Sequence, residues 1–581
     1  MSTRAVRFAS SPVLVLRLPA WRSRALIVAL IAGFLLLAGR SVYLQTWNGD
    51  FLRAKGESRY SRVLEVSANR GRILDRNGEP LAISTPVKSV WVIPDEFKLD
   101  DENAATRLAE LLGLSKSELR RRVDSSDRDF VYLKRQISPE TADRIAELRI
   151  PGLFQTREYR RYYPGGEVTA HVLGFTGVDD AGQEGIELAF QSRLAGTAGS
   201  RRVIRDRRGQ IIDDVESIKA AQEGSDLVLS LDSKIQALAY AQLKAAVERE
   251  HAKAGGVLVL DIATGEVLAL ANQPTFNPNN RARLSGAQLR NRVLTDSFEP
   301  GSTMKPFTIA LALEQGKVTP DTIIETAGGK LTIGSATIGD AHALGNLTVA
   351  QVIQKSSNVG TARIALTLDR QSMWDIFTRA GFGVAPPVPF PGAVPGKLRP
   401  AATWRPIEQA TMSYGYGLSV SLLQLARAYS IFARDGDLVP VSFVKTDGPV
   451  AGQPVISAET ARKVRAMLES AAAPGGTAPR AQIMGYHVAG KTGTAHKQEG
   501  GGYAAHKYRG SFVGFAPATR PRLVVAVTID EPGNGKYFGG DVAAPVFSQV
   551  MEGALRALGV APDAPMKPIE FPAGAQVDES I

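Results

Sequence analysis

The chain has 581 residues, 44% of them hydrophobic and 22% charged, a balance that excludes a wholly disordered protein and calls for more than one domain. It has no cysteine, which removes disulfides, thiolate metal sites and cysteine nucleophiles from consideration. The formal net charge is +11, yet no helix-turn-helix, RNA-recognition signature or basic–aromatic stripe accompanies it, so a solvated basic surface is the expectation rather than a nucleic-acid partner.

Five arginines, Arg4, Arg7, Arg17, Arg22 and Arg24, precede the apolar run from Ala25 to Gly39, and no acidic residue comes before Asp50. About 20 residues are needed to cross a bilayer. Extending the run through Leu44 reaches that length, with Arg40 snorkelling and Trp47 at the interface. The run is expected to be an uncleaved anchor over residues 25–45, with residues 1–24 in the cytoplasm and the rest exported. A cleaved signal peptide is the rival, but no small-x-small site follows Gly39.

Residues 50–225 are rich in charge and short strand patterns. Arg72 to Ile83 reads as strand, Asn-Gly turn, strand, and Val203 to Ile212 repeats the Asp-Arg-x-Gly turn. Nothing in this stretch looks catalytic, so a β-rich elongated pedestal is expected. After Asp226 the pattern changes. Ile235, Leu238, Ala239, Leu243, Ala246 and Val247 share one helical face that Asp232 can cap. Val257–Asp261 with Glu266–Leu270, and Ser511–Phe515 with Arg522–Ile529, read as hairpins, and Ala544 to Leu558 as a helix. Strands at both ends with helices between predict one α/β (α+β) domain over residues 226–560, its sheet assembled from distant parts of the chain. A loose tail over residues 561–581 follows.

Three short motifs lie in order within that second domain: Ser302-Thr303-Met304-Lys305, Ser356-Ser357-Asn358 and Lys491-Thr492-Gly493-Thr494. Each alone is weak; Ser442-Phe443-Val444-Lys445 and Ser67-Ala68-Asn69 match the first two as well. Context separates them. Glu299-Pro300-Gly301 is a loop entering an apolar helix, where positions i and i+3 share a face and Lys305 reaches the Ser302 hydroxyl. Leu438 to Val444 reads as strand, on which Ser442 and Lys445 point apart.

A serine needs a base, and the six histidines fall in no triad-like order. A desolvated lysine beside another cation can be neutral and take that role. On this reading Ser302 is the nucleophile and Lys305 the base, with Lys491 the neighbouring cation. Ser356 can relay a proton and Asn358 can hold a peptide amide. Thr492, Gly493 and Thr494 can meet a substrate carboxylate and backbone, and the N–H groups of Ser302 and Thr494 can form an oxyanion hole. No metal or other cofactor is required.

These motifs resemble those of the penicillin-recognising enzymes. With Gly39 to Gln45, Arg70 to Gly78, Gly185-Ile186-Glu187, Phe298 to Phe307, Ser413 to Leu418 and Gly539 to Phe547, the chain resembles the class B penicillin-binding proteins, and most of all the division-specific FtsI type. That resemblance implies a non-catalytic pedestal and a penicillin-binding D,D-transpeptidase domain that acts on peptidoglycan stem peptides and is acylated by β-lactams. It also implies single-pass anchoring in inner-membrane lipid at the division septum, the catalytic domain in the periplasm. The implied partners are a polytopic septal glycosyltransferase and other divisome proteins. Tyr414 and Tyr416 are candidates to line the substrate cleft, with a core role as the alternative. The nearest rival is the elongation-specific class B enzyme, and the Ser413–Leu418 stretch favours division. A β-lactamase or D,D-carboxypeptidase is less well supported, since no Glu-x-x-Leu-Asn stands between the second and third motifs. A β-lactam sensor would need longer membrane machinery.

Overall fold

The computed structural model describes residues 19–46, 61–99, 101–124, 130–205, 211–282, 284–326, 328–500 and 502–569. Helix α1 (Ala20–Thr46) has a mean hydropathy of 2.2 in its apolar window, and none of its residues is buried against the rest of the chain. It starts five residues before the expected anchor. Among the described residues it is the one helix long and apolar enough to cross a membrane.

The pedestal stretch forms two sheets. In the first, β1 (Ser61–Val66) pairs with β6 (Gly199–Arg205), which pairs with β7 (Ile211–Lys219). In the second, β2 (Ile73–Leu74) and β5 (Leu153–Tyr162) pair with β3 (Pro80–Val92), flanked by β4 (Val131–Ile137) and β8 (Leu227–Val228). Helices α2 (Glu102–Leu112), α3 (Lys116–Asp124) and α4 (Pro139–Ala146) cover β3 and β4 through Leu108, Leu119 and Ile145. The Asn-Gly turn between β2 and β3 forms as the sequence predicts. Gly78 takes φ +91°, and Asp75 Oδ1 accepts from the N–H groups of Asn77 and Glu79 at 2.8 and 2.9 Å. The second such turn, residues 206–210, lies outside the described residues.

Arg70 and Glu187, both within the stretches that carry the resemblance, prove to be partners. Glu187 receives Arg70 Nε and Arg161 Nε, each at 2.7 Å, and all three side chains are at most 1% exposed. A carboxylate so buried is tolerable only because guanidinium groups satisfy both oxygens.

The catalytic sheet runs β10 (Val267–Gln273), β9 (Ala254–Asp261), β13 (Leu523–Asp530), β12 (Gly502–Ala516) and β11 (Ala489–Glu499), every neighbour antiparallel. It is thus closed by β9 meeting a strand more than 250 residues away, Val257 opposite Val527. Side-chain alternation explains the two layers on it. Val257, Val259, Val525 and Val527 pack with helices α5 (Ser233–Arg249) and α10 (Ala544–Ala557), through Ile235, Leu243 and Phe547. Leu258, Leu260, Val524 and Ala526 face the opposite layer, with α6 (Lys305–Glu314), α8 (Leu422–Ala433) and α9 (Ala458–Ala472). Helix α7 (Asn358–Leu366) packs behind α6. As predicted, Asp232 caps α5, accepting from the N–H groups of Lys234 and Ile235.

Residues 561–569, the described start of the expected loose tail, make contacts with the catalytic domain. Asp563 accepts from His487 N–H at 2.8 Å and from the Thr519 hydroxyl at 2.6 Å, and Ala564 N–H donates to Gly485. An unpatterned sequence gives no periodicity to read, but a single well-placed carboxylate ties it down. Residues 570–581 lie outside the described residues.

Candidate active site

The first motif opens on a 3₁₀ turn, Gly301–Met304, that runs into α6 at Lys305. The expected α-helical spacing is therefore tightened. In a 3₁₀ turn residues i and i+3 eclipse, so the Ser302 and Lys305 side chains leave along one edge. Gly301 takes φ +57°, and a Cβ there would lie 3.2 Å from Thr494 O. Thr303 fastens the turn, its hydroxyl donating to Pro300 O at 2.8 Å while its carbonyl accepts from the buried Tyr429 hydroxyl at 2.9 Å.

Lys305 is completely buried. Its ammonium nitrogen reaches the backbone carbonyl of Ser356 and, at 3.0 Å, the Ser356 hydroxyl, joining the first motif to the second. Ser356 holds φ +58°, a left-handed conformation that a non-glycine residue adopts at some cost, and that turns its hydroxyl to the lysine. The next residue, Ser357, caps α7 by accepting from Gly360 N–H and donating to Asp340 Oδ2 at 2.6 Å. Asp340 Oδ1 accepts in turn from Val359 N–H. Asn358 donates to Gly339 O at 3.3 Å and keeps a buried Oδ1 with no donor among the described residues, able to take a substrate amide.

The third motif lies on β11, an edge strand whose inner side is paired with β12, Lys491 opposite Val513 and Thr494 opposite Gly510. An unpaired strand edge is a template for an extended peptide. A Cβ on Gly493 would stand 2.6 Å from Pro300 O, so this face of β11 meets the nucleophile loop, and Lys491, two residues back, shares it. Thr492 meets the Thr477 hydroxyl at 3.0 Å, and the Thr494 hydroxyl accepts from Gly539 N–H at 3.0 Å. Lys491 is fully buried, and its nitrogen lies 3.2 Å from the Thr492 hydroxyl.

Tyr414 and Tyr416 flank the same loop. Gly415 between them packs so closely that a Cβ would meet Gly301 O at 2.1 Å. Tyr414 is buried with Ile338, Val359 and Ala410, so its body is core, while both tyrosines also line an open cleft of about 600 Å³ with Gly417, His496 and Tyr503. Ring centroids of Tyr414–Tyr416 and Tyr416–Tyr503 stand 5.9 and 5.8 Å apart. Burial raises both phenols above their ordinary value and keeps them neutral.

The rival pairs separate. The Ser442 hydroxyl donates to Val444 O, and Lys445 reaches Arg76 O at 3.0 Å. Ser67 and Asn69 stay in the pedestal. Sequence reasoning did not single out Asp340, Thr477, Tyr503 or His496, which stand in no motif.

Residues 255–552 match the family described as the penicillin binding protein transpeptidase domain, and residues 65–229 the penicillin-binding protein dimerisation domain. The chain is 44% identical to the probable peptidoglycan D,D-transpeptidase PenA of Neisseria gonorrhoeae over 93% of each chain. It is 41% identical to the peptidoglycan D,D-transpeptidase FtsI of Escherichia coli strain K12, over 94% of this chain and 93% of that one. The solved transpeptidase domain of Burkholderia pseudomallei penicillin-binding protein 3 aligns with a TM-score of 0.54 at 55% identity, covering 58% of this chain and 98% of that domain. With both domains matched in order and relatives similar over nearly their whole length, the chain belongs to the class B penicillin-binding proteins, the peptidoglycan D,D-transpeptidases of the FtsI type.

Proposed function

We propose that this protein cross-links the stem peptides of septal peptidoglycan through an acyl-enzyme on Ser302. Lys305, neutral at the moment of attack, takes the Ser302 proton as the hydroxyl oxygen adds to the carbonyl of a D-Ala-D-Ala-like terminus. The N–H groups of Ser302 and Thr494 receive the resulting oxyanion. Collapse breaks the peptide bond, and the departing amine takes a proton relayed through Ser356. An amine from a second stem peptide then attacks the ester and releases Ser302, its proton passing back along the same path. Asn358 holds the donor peptide's amide, while Lys491, Thr492, Gly493 and Thr494 meet its carboxylate and backbone. Tyr414 and Tyr416 border the cleft beyond. β-Lactams enter at the same carbonyl position.

One observation carries this reading: Lys305 bonds to Ser356 while Gly301 and Gly493 hold the third motif against the first. The glutamates between the second and third motifs are occupied elsewhere, which supports synthesis over hydrolysis. Arg405 N–H, with the guanidinium groups of Arg399 and Arg405, holds Glu408 at about 2. Glu459 pairs with Lys463 and Glu469 with His487.

The anchor α1 is proposed to lie N-terminus inward in the cytoplasmic membrane, with both domains outside and the pedestal meeting a polytopic septal glycosyltransferase. Labelled penicillin tests the core of the proposal. Wild type should keep its label through a long chase, and Ser302→Ala should take none while remaining folded. An adduct on another residue, or label lost within seconds, would overturn it.

A further inference from the structure

Glu299 stands three residues before Ser302, and no step above uses it. The residue is only 9% exposed, and a single oxygen, Oε1, takes three donors. These are Gly417 N–H at 2.7 Å, Gln498 Nε2 at 3.1 Å and the Tyr503 hydroxyl at 3.3 Å. The other oxygen is buried with no donor among the described residues. Burial raises this carboxyl above the ordinary range, partly offset by the bonds from Gly417 and Tyr503. An acidic side chain is costly to bury unless hydrogen-bonded, so the arrangement matters for what it holds together.

The donors come from separate stretches. Gly417 belongs to the loop after Ser413. Gln498 and Tyr503 face each other across β11 and β12. The nucleophile loop and the Ser413 loop are already joined by backbone: Phe298 and Val420 exchange two bonds of 2.9 Å, and Gly301 N–H donates to Gly415 O. The hairpin is a different case. Strand β13 ends at Asp530, opposite Arg509, and the last ties beyond it are Glu531 N–H donating to Tyr508 O at 2.9 Å and Lys497 reaching Asp530 at 3.0 Å, so the residues of β12 before Tyr508 pair with β11 alone and project beyond the sheet. This projecting end forms one wall of the tyrosine-lined cleft, through His496, Tyr503 and Ala504.

We propose that Glu299 is a positioning residue that latches the projecting end of the β11–β12 hairpin to the nucleophile loop, setting the width of the tyrosine-lined cleft. This rests on the reading of Ser302 as nucleophile and of β11 as the edge that receives substrate. The contact between Lys305 and Ser356 lies outside the latch, so loosening it weakens substrate capture more than the chemical step.

The test uses the full chain in detergent, with Glu299→Ala, Glu299→Gln, the hairpin variant Gln498→Ala/Tyr503→Phe, and all three alanine and phenylalanine changes combined. Amide exchange over residues 497–508 and the acylation kinetics of a labelled penicillin, resolved into Kd and the acylation rate, are measured for each. Loss of charge-assisted bonds predicts exchange about tenfold faster and Kd about tenfold weaker for Glu299→Ala and for the hairpin variant. The acylation rate at saturation should stay within about twofold. The combined variant should be no worse than either, and Glu299→Gln, which keeps the accepting oxygen, should recover most of the loss. Unchanged exchange in Glu299→Ala, additive losses in the combined variant, or a loss confined to the acylation rate would overturn the latch. Exchange is independent of which residue is acylated, so an adduct mapped away from Ser302 would count against the mechanism alone.

Discussion

At the scale of single residues, the chemistry rests on a lysine with no solvent exposure. Lys305 holds Ser356 by its carbonyl and its hydroxyl, so its nitrogen is oriented before substrate arrives. Lys305→Arg keeps a cation but removes the base, because a guanidinium does not deprotonate in proteins. Acylation by labelled penicillin should then slow by about 10²–10⁴, the usual worth of general-base catalysis. A variant acylated at near the wild-type rate would show that Lys305 acts only as a fixed charge. The turn that carries Ser302 and Lys305 was legible in the sequence because its signals are local: a Pro-Gly turn, a following apolar helix, and spacing of three. Asp340 was not legible. Its value lies in accepting from Ser357 and Val359 at the head of α7, a meeting of two loops with no periodic pattern to announce it. The same is true of Thr477 against Thr492.

Among elements, the decisive contact is between β11 and the turn that carries Ser302. Hairpins and helix caps could be read along the chain, as the Asp75 turn and the Asp232 cap illustrate, because each depends on residues within a few positions. The pairing of β9 with β13 followed only in outline: strong strand patterns at both ends implied a shared sheet, while strand order and register depend on packing that no local window contains. Glycine placement is where register meets chemistry. Gly493 opposes Ser511 in the ladder and presses toward Pro300 with no room for a methyl group, the nearest oxygen being 2.6 Å from a Cβ position. Gly493→Ala should therefore push β11 away from the nucleophile turn. We expect acylation to fall by about 10²-fold, the scale of a displacement near 1 Å in a positioned site. Thermal stability should fall as well, because residues 489–495 of β11 are buried and the added methyl meets backbone. Normal acylation would mean that the edge can shift without moving the oxyanion site.

The whole molecule joins pedestal to catalytic domain through polar contacts as well as core. Arg76 pairs with Glu266 at 3.2 Å, and His171 Nε2–H donates to Gln288 O, 2.8 Å away, while the His171 carbonyl accepts from Asn291 Nδ2. Burial, aided by nearby Arg292 and resisted by the Gln288 carbonyl, pushes His171 down to about 4 from 6.5. The folded state thus holds this imidazole neutral where the unfolded chain would protonate it. Its contribution is intact above pH 6.5 and is lost as pH falls toward 4, by about 3 kcal/mol in all. Tm should fall less steeply over that window in His171→Asn than in wild type; parallel curves would remove His171 from the account. Topology is the last consequence at this scale. Five arginines precede the apolar run of the 27-residue α1, two of them, Arg22 and Arg24, within its start, and no acid precedes Asp50, so the basic flank should stay in the cytoplasm and the remainder cross. The proposed reaction needs that outcome, because its substrates are wall polymers outside the membrane. A protein that fluoresces only in the cytoplasm, fused after Ile581, should stay dark, whereas the same reporter placed ahead of Met1 should be bright. A bright carboxyl-terminal fusion in intact cells would place the catalytic domain on the wrong side of its substrate, and the wall-building role would fall with the orientation.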